Sequence, residues 1–144
     1  MNLNPIFAGI ETAAAYFVLG LAVLVVGRRV FDWMTPYSLN HEIAEKNNVA
    51  AGVTEAGFYI ALALITHAAV AGTPQLGSIY LEMASAALFF IVGLVALATG
   101  RWVLHRTVPF SIDKEVVVDQ NVAVGVVEAG FYIALAILIH SVVS

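Results

Sequence analysis

The sequence predicts an all-α integral membrane protein with four transmembrane helices, arranged as two tandem helical hairpins of parallel orientation. Of its 144 residues, 61% are hydrophobic and 11% charged, which is too apolar for a soluble domain of this length. Four apolar runs are long enough to cross a hydrocarbon core of about 30 Å. The chain also repeats itself at a constant offset, because residues 48–67 and 121–140 are identical at 15 of 20 positions.

Two helix starts have the same signature, a polar cap followed by proline. Asn4-Pro5 precedes the first apolar run and Thr73-Pro74 the third, and proline suits the first helical position. The repeat therefore divides the chain into a first two-span unit, residues 1–72, and a second, residues 73–144. The predicted helices cover residues 5–34, 40–71, 74–107 and 113–143.

The basic residues are sorted by position. All six lie in the two segments that follow the first and third apolar runs: Arg28, Arg29, Lys46, Arg101, Arg106 and Lys114. An excess of Lys and Arg is typical of cytoplasmic loops, so both termini are predicted to lie outside. A two-span unit returns the chain to its starting side, which predicts a pseudo-two-fold axis along the membrane normal.

Each repeat carries one carboxylate inside an apolar run, Glu55 in the second span and Glu128 in the fourth. Glu55 lies about 10 Å deep at 1.5 Å per residue. A carboxylate at membrane depth costs a few kcal/mol and usually faces protein or water. No Lys or Arg lies inside a span as counted here, so we expect neither acid to have a cationic partner and both to be protonated much of the time.

The two glutamates belong to matching polar stripes along their helices. Asn48 and Tyr59 share a helix face with Glu55, and Asn121 and Tyr132 share one with Glu128. One hypothesis is that these stripes form a path for protons or cations. The alternative is that the acids stay neutral and hydrogen-bond neighbouring helices, with the tyrosines as partners, which would only fix helix register.

Small residues four apart on spans two and four predict close helix packing, and we interpret the glycines as structural. The predicted packing positions are Gly52, Gly57, Gly125 and Gly130. These faces also suit self-association, so a homo-oligomer in the lipid bilayer is expected, with no nucleic-acid partner.

A second polar group is predicted at the outer ends of the spans, one residue from each: Glu11, His67, Glu82 and His140. Imidazole and carboxylate are good zinc ligands, so a metal site or a proton entry point is one interpretation. However, His67 lies about 120° around the helix from Glu55. Interfacial residues in water or headgroups are the simpler interpretation, and no metal or cofactor is predicted.

Motifs for enzymatic chemistry are missing from the sequence. It contains no cysteine, no glycine-rich phosphate loop, no nucleophile elbow and no His-Glu-x-x-His. The sequence therefore predicts a protein that is not an enzyme.

The repeated block combines Asn-Val-Ala, a membrane glutamate and a Gly-Phe-Tyr triplet in a two-span unit used twice. In this it resembles the bacterial inner-membrane proteins of the domain of unknown function 350 family, in their two-copy form, from about Phe7 to Val143. The resemblance implies four spans in a bacterial plasma membrane and a family without an established activity. It supplies no catalytic residues.

Two functions follow from these observations. The first is an oligomeric small channel or transporter component that handles protons or cations through Glu55 and Glu128. The second is a structural or accessory membrane subunit in which the glutamates only fix helix packing.

Overall fold

The computed structural model describes the backbone of residues 4–143 and the side chains of residue 7 and residues 9–142. The predicted cap at the Asn4 side chain, and the ends of the two repeats at residues 1–3 and 144, lie outside this description. Within it, the chain is helical with short connections and contains no strand. The helices are α1 (Asn4–Met34), α2 (Val49–Ala71), α3 (Ile79–Thr107), α4 (Ile112–Val117) and α5 (Val122–Val143).

Four of these helices, α1, α2, α3 and α5, are long and apolar enough to cross a membrane. This confirms the predicted fold class of an all-helical membrane protein with four spans. The pseudo-two-fold relation between the two halves stays a prediction.

The predicted continuous helices at 40–71 and 113–143 are wrong, because each is two separate helices. A single-turn π-helix, His41–Glu45, precedes α2, and α4 precedes α5. The chain breaks at Asn47 and Gln120, whose φ angles of 54° and 47° lie in the left-handed region. A residue there cannot continue a right-handed helix, and asparagine adopts that conformation more readily than most residues. Asn48 then starts α2 by accepting a hydrogen bond from the Ala51 amide.

The third helix also starts later than predicted. Thr73 donates its hydroxyl hydrogen bond back to the Ala69 carbonyl, at the end of α2. The chain then turns at Gly77, whose φ of 72° suits glycine, and Ser78 is the cap residue before Ile79. The Thr73-Pro74 pair therefore belongs to the end of the preceding helix and the connection after it.

The centre of the fold is the pair α2 and α5. Half of the apolar stretch of α2 is buried, against 6% of the stretch in α1, so α1 lies at the edge of the bundle. An aromatic cluster joins the edge helix to the centre. Phe31 of α1 stacks on Phe58 of α2 at 4.3 Å between ring centroids, and Tyr132 of α5 meets both rings edge-on at 5.9 and 5.4 Å. These contacts hold α1, α2 and α5 together on the side of the bundle where the basic connections lie.

Two of the four predicted packing glycines lie against the neighbouring helix. A side chain at Gly57 would overlap Ala129, and one at Gly125 would lie 2.6 Å from the Ala50 carbonyl oxygen. Gly52 and Gly130 have no such neighbour within 4 Å among the described residues. The close approach of α2 and α5 therefore depends on Gly57 and Gly125.

Candidate functional site

The first-half cluster consists of Arg28, Asn40 and Glu55. Arg28 on α1 donates from Nε to Glu55 Oε1 at 2.8 Å and from an Nη nitrogen to Asn40 Oδ1 at 2.6 Å. The Arg28 side chain is 27% exposed and that of Glu55 is 12% exposed. The ion pair is mostly covered by protein, and it joins α1 to α2.

The prediction that the glutamates lack a cationic partner is therefore wrong. It placed Arg28 at the end of the first span, where the apolar run stops. The helix continues for six further residues to Met34, and Glu55 lies six residues into α2 from Val49. At 1.5 Å per residue, Arg28 lies about 9 Å before the end of α1 and Glu55 about 9 Å after the start of α2. The arginine and the glutamate consequently meet at one depth.

The second-half cluster consists of Arg101, His105, Asp113, Glu128 and Tyr132. Arg101 on α3 donates to the Glu128 carboxylate on α5, and a second nitrogen donates to Asp113 Oδ1 at 2.5 Å. Tyr132 donates its hydroxyl hydrogen bond to Glu128 Oε1 at 2.8 Å and accepts one from Arg101 at 3.0 Å. Glu128 and Tyr132 are fully buried, and Arg101 is 5% exposed. This ion pair is enclosed by protein.

His105 lies between the two carboxylates of the second-half cluster. Its Nε2 is 3.5 Å from Glu128 Oε1, and its Nδ1 is 3.6 Å from Asp113 Oδ2. A neutral imidazole carries one N–H and a protonated one carries two, so only the protonated ring presents a donor to both acids. The His105 side chain is 23% exposed, whereas Glu128 is fully buried. His105 therefore lies between the surface and the buried acid.

The charges of the two clusters differ. In the first half, one guanidinium faces one carboxylate, and the position that matches Asp113 is the neutral Asn40. In the second half, one guanidinium faces two carboxylates. With a neutral His105 the second-half cluster has a net charge of −1, and a proton on His105 makes it neutral. The second half thus contains a buried group of side chains that one added proton would balance.

Two buried side-chain oxygens of this region have no hydrogen-bond partner among the described residues. They are Oε2 of Glu128 and the hydroxyl oxygen of Tyr37. Burial, and then the negative charge of nearby Glu128, raises the pKa of Tyr37, so this phenol stays neutral. The carboxylate oxygen is an acceptor and the neutral phenol can donate or accept, and orphaned buried polar atoms usually have a water or ion between them and a partner.

The predicted stripe residues Asn48 and Asn121 lie apart from the ionic clusters and anchor the breaks before α2 and α5. Asn48 donates to Glu42 Oε2 at 3.0 Å and to the Val116 carbonyl at 2.8 Å, and Asn121 donates to Glu115 Oε2 at 2.9 Å. Burial opposes the charge of Glu42, but the hydrogen bonds from Lys46 and Asn48 outweigh it and lower its pKa. These asparagines organise the connections.

At the opposite end of the bundle, the predicted outer polar group is only partly assembled. His67 and His140 stack at 5.2 Å between ring centroids, with Nδ1 of one 3.0 Å from Nε2 of the other. Glu82 instead accepts a hydrogen bond from the Leu76 amide at 3.1 Å, and Glu11 is exposed. No group of three or more His, Asp or Glu side chains within the described part of the chain is placed to hold a metal ion.

Sequence reasoning missed five residues of the two clusters: Arg28, Asn40, Arg101, His105 and Asp113. The signal for the arginines was present, because Arg28 precedes Glu55 by 27 residues and Arg101 precedes Glu128 by the same number. His105 and Asp113 had no such signal, since the matching residues in the first half are Asp32 and Asn40.

Fold and site together define a four-helix membrane protein in which an arginine at the end of one span neutralises a glutamate in the next. The chain belongs to the family described as Domain of Unknown Function (DUF350), which matches residues 5–143. No solved structure matches the chain.

Among curated proteins, it is 29% identical over 117 residues to a UPF0719 transmembrane protein of Mycolicibacterium paratuberculosis, covering 81% of this chain and 76% of that protein. Proteins of the same family name from Mycobacterium bovis and Mycobacterium tuberculosis are 36% identical over 70 residues. Those two matches cover 49% of this chain and 46% of each relative. The relatives' names support a membrane protein and specify no activity.

Proposed function

We propose that this protein is an oligomeric channel or transporter component that moves protons or cations across a bacterial plasma membrane, with the second-half cluster as its working site. The observation that carries the proposal is the arrangement of His105 between Glu128 and Asp113. Two carboxylates and one guanidinium leave a charge that a single proton balances. No group of three or more His, Asp or Glu side chains in the described part of the chain is placed to ligate a metal cation, so the proton is the favoured species.

In this mechanism His105 exchanges the proton between the partly exposed edge of the cluster and the buried Glu128. Arg101 and Tyr132 both donate to Glu128 Oε1, and Oε2 has no donor among the described residues. His105 contacts Oε1 and not Oε2, so its proton reaches Oε2 through a bridging water. Glu55 has no histidine beside it, and its role is structural.

The proposal is tested by proton flux into vesicles that contain the purified protein and an internal pH dye, driven by a potassium diffusion potential. We expect Glu128→Gln and His105→Gln to abolish most of the flux. Glu55→Gln is the matched control, because it removes the corresponding carboxylate of the first half, and it should retain most of the flux. The double change Glu55→Gln with Glu128→Gln should abolish flux while the oligomer survives in detergent.

Two results would contradict the proposal. One is a wild-type flux no larger than that of protein-free vesicles, and the other is normal flux in Glu128→Gln. Asp113 remains as a partner for Arg101 in that variant, so the cluster keeps an ion pair and the protein should fold.

The second candidate function is a structural or accessory subunit. It is favoured by the ion pairs themselves, because Arg28–Glu55 joins α1 to α2 and Arg101–Glu128 joins α3 to α5. Under this alternative, the wild type shows no flux, and Glu128→Gln loosens the assembly or lowers its thermal stability. Measuring flux and oligomer size on the same samples separates the two functions.

The proposal includes self-association of the protein and an orientation of the chain in the membrane. Gly52 and Gly130 have open space beside them in the single chain, which suits contacts with another copy.

The basic segments favour cytoplasmic connections and external termini. Because the chain has no cysteine, single cysteines at Gln75 and Asp119 can be labelled in intact cells with an impermeant maleimide. We expect labelling at Gln75 only, and labelling at Asp119 instead would reverse the topology.

A further inference from the structure

A groove at the junction of α1 and α2 lies beside the first-half cluster. Its volume is about 370 Å³, and its lining combines two guanidinium groups, a phenol and two aliphatic side chains. These residues are Leu24, Val25, Arg28, Arg29 and Tyr59. Val25 is 64% exposed and Arg29 is also exposed, so the groove opens on the surface that the bilayer covers.

Arg29 contributes a positive charge to this groove that no described residue balances. In the part of the chain that the structure describes, its guanidinium takes part in none of the hydrogen bonds or ion pairs. Arg29 lies five residues before the end of α1 at Met34, or about 7.5 Å along the helix axis. A guanidinium at that depth on a surface-facing position needs water or an anion, because contact with hydrocarbon costs several kcal/mol.

The neighbouring arginine does not cancel this charge. Arg28 is neutralised by Glu55, and its bonds to Glu55 and Asn40 use two of the five N–H donors of a guanidinium. The groove therefore has a net charge of +1, with further donors beside it. A singly charged anion complements that charge, and the aliphatic walls suit an anion that carries hydrocarbon.

We propose that this groove binds the phosphate of an anionic phospholipid. Arg29 is the main contact of the phosphate, Arg28 and Tyr59 line the headgroup position, and Leu24 and Val25 lie along the acyl chains. Arginine and phosphate form strong charge-assisted hydrogen bonds, which favours arginine at such sites. Free phosphate would gain nothing from the aliphatic walls, so the lipid is the expected occupant.

The matching groove of the second half lacks this chemistry. It is lined by Met34, Ala98, Arg101, Trp102, His105 and Asp113 and has a volume of about 250 Å³. Trp102 stands at the position that corresponds to Arg29, and Arg101 is held by Glu128 and Asp113. The proposed lipid site therefore belongs to the first half only, and it is independent of the proposed proton movement.

The two tryptophans make the site measurable. Trp33 lies four residues after Arg29 on α1 and is 87% exposed, so it lies one turn from the groove. In a Trp102→Phe background, Trp33 is the sole tryptophan. We would reconstitute that protein in phosphatidylcholine vesicles and measure quenching of Trp33 by brominated phosphatidylglycerol and, separately, by brominated phosphatidylcholine.

We expect phosphatidylglycerol to be preferred at Trp33 about fivefold, as for one basic residue beside an anionic lipid. Arg29→Gln should remove the preference and Arg29→Lys should retain part of it. Arg106→Gln, which removes another exposed arginine, should leave it unchanged. Equal quenching by the two lipids, or an unchanged preference in Arg29→Gln, would overturn the proposal. Displacement of the lipid by millimolar inorganic phosphate would also overturn it, by indicating a site for the free anion.

Discussion

The two halves of the chain place an arginine and a glutamate at matching positions but surround them differently. Around Arg28 and Glu55 the third partner is the neutral Asn40, and the pair is partly exposed. Around Arg101 and Glu128 the third partner is Asp113, His105 lies between the acids, and Glu128 is fully buried. The same ion pair is thus balanced in one half and carries an extra negative charge in the other. The two halves differ beside this pair at two positions, where Asp113 replaces Asn40 and His105 replaces Asp32.

The second difference concerns the residue after each arginine. Arg29 follows Arg28, whereas Trp102 follows Arg101. The first half therefore presents an exposed guanidinium without a partner among the described residues, and the second half presents an aromatic ring over which Arg106 lies at 5.1 Å.

Removing each arginine is the strongest way to test the comparison. Arg101→Gln leaves Glu128 buried without its guanidinium, and losing one partner of a buried ion pair costs about 3–5 kcal/mol. Arg28→Gln should cost less, because the Arg28 and Glu55 side chains are 27% and 12% exposed, against 6% and 0% for Arg101 and Glu128. Thermal unfolding of the two variants in the same detergent gives both losses. Equal losses would contradict the difference in burial.

The glycines test the central packing of α2 on α5. Gly57→Ala and Gly125→Ala place a methyl group against Ala129 and the Ala50 carbonyl, so each should cost about 1–3 kcal/mol through overpacking. Their matched controls are Gly130→Ala and Gly52→Ala, whose new methyl groups meet no such neighbour within 4 Å in the described chain. The controls should unfold at or slightly above the wild-type temperature. Destabilisation of all four variants to the same extent would instead indicate tight packing at every position, including contacts between copies.

Glu42 lies outside the spans, and its substitution should give the smallest loss of stability and one that depends on pH. Its pKa in the folded protein is lowered by Lys46 and Asn48, so its carboxylate contributes stability that is complete above the unfolded value of about 4.3. That contribution is lost as the pH falls through the folded-state pKa. Glu42→Gln should therefore cost about 1.5 kcal/mol at pH 7 and nearly nothing at strongly acidic pH.

The check is thermal unfolding of wild type and Glu42→Gln across acidic to neutral pH. Glu115→Gln is the matched control, since Glu115 accepts from Asn121 but is less buried than Glu42. A stability difference between wild type and Glu42→Gln that does not change with pH would contradict the assignment.

The sequence was sufficient for the fold class, because four apolar runs and their length determine four membrane helices. It was not sufficient for the helix breaks, which depend on the left-handed φ angles of Asn47 and Gln120. The depth of Glu55 and Glu128 was predictable, and so was the tyrosine partner Tyr132 of Glu128. The arginine partners were missed although each precedes its glutamate by 27 residues, because the apolar run ends at Arg28 while the helix continues to Met34. Hydropathy locates the end of the apolar run, whereas the ion pair depends on the helix that continues beyond it.

The interaction of His105 with Glu128 was beyond sequence reasoning for a different reason. These residues are 23 positions apart, on different helices, and the repeat offers no counterpart because Asp32 occupies the matching position in the first half. The repeat drew attention to the two glutamates as a pair. The difference between their surroundings lies in residues that the repeat does not share.

The most direct test of the account is infrared titration of the protein in lipid, following carboxyl and imidazole bands in wild type, His105→Gln, Glu128→Gln and Glu55→Gln. The account predicts one proton taken up by the second-half cluster, with bands that disappear in His105→Gln and Glu128→Gln and persist in Glu55→Gln. Identical spectra in wild type and His105→Gln across the accessible pH range would contradict it and leave both glutamates as structural ion pairs.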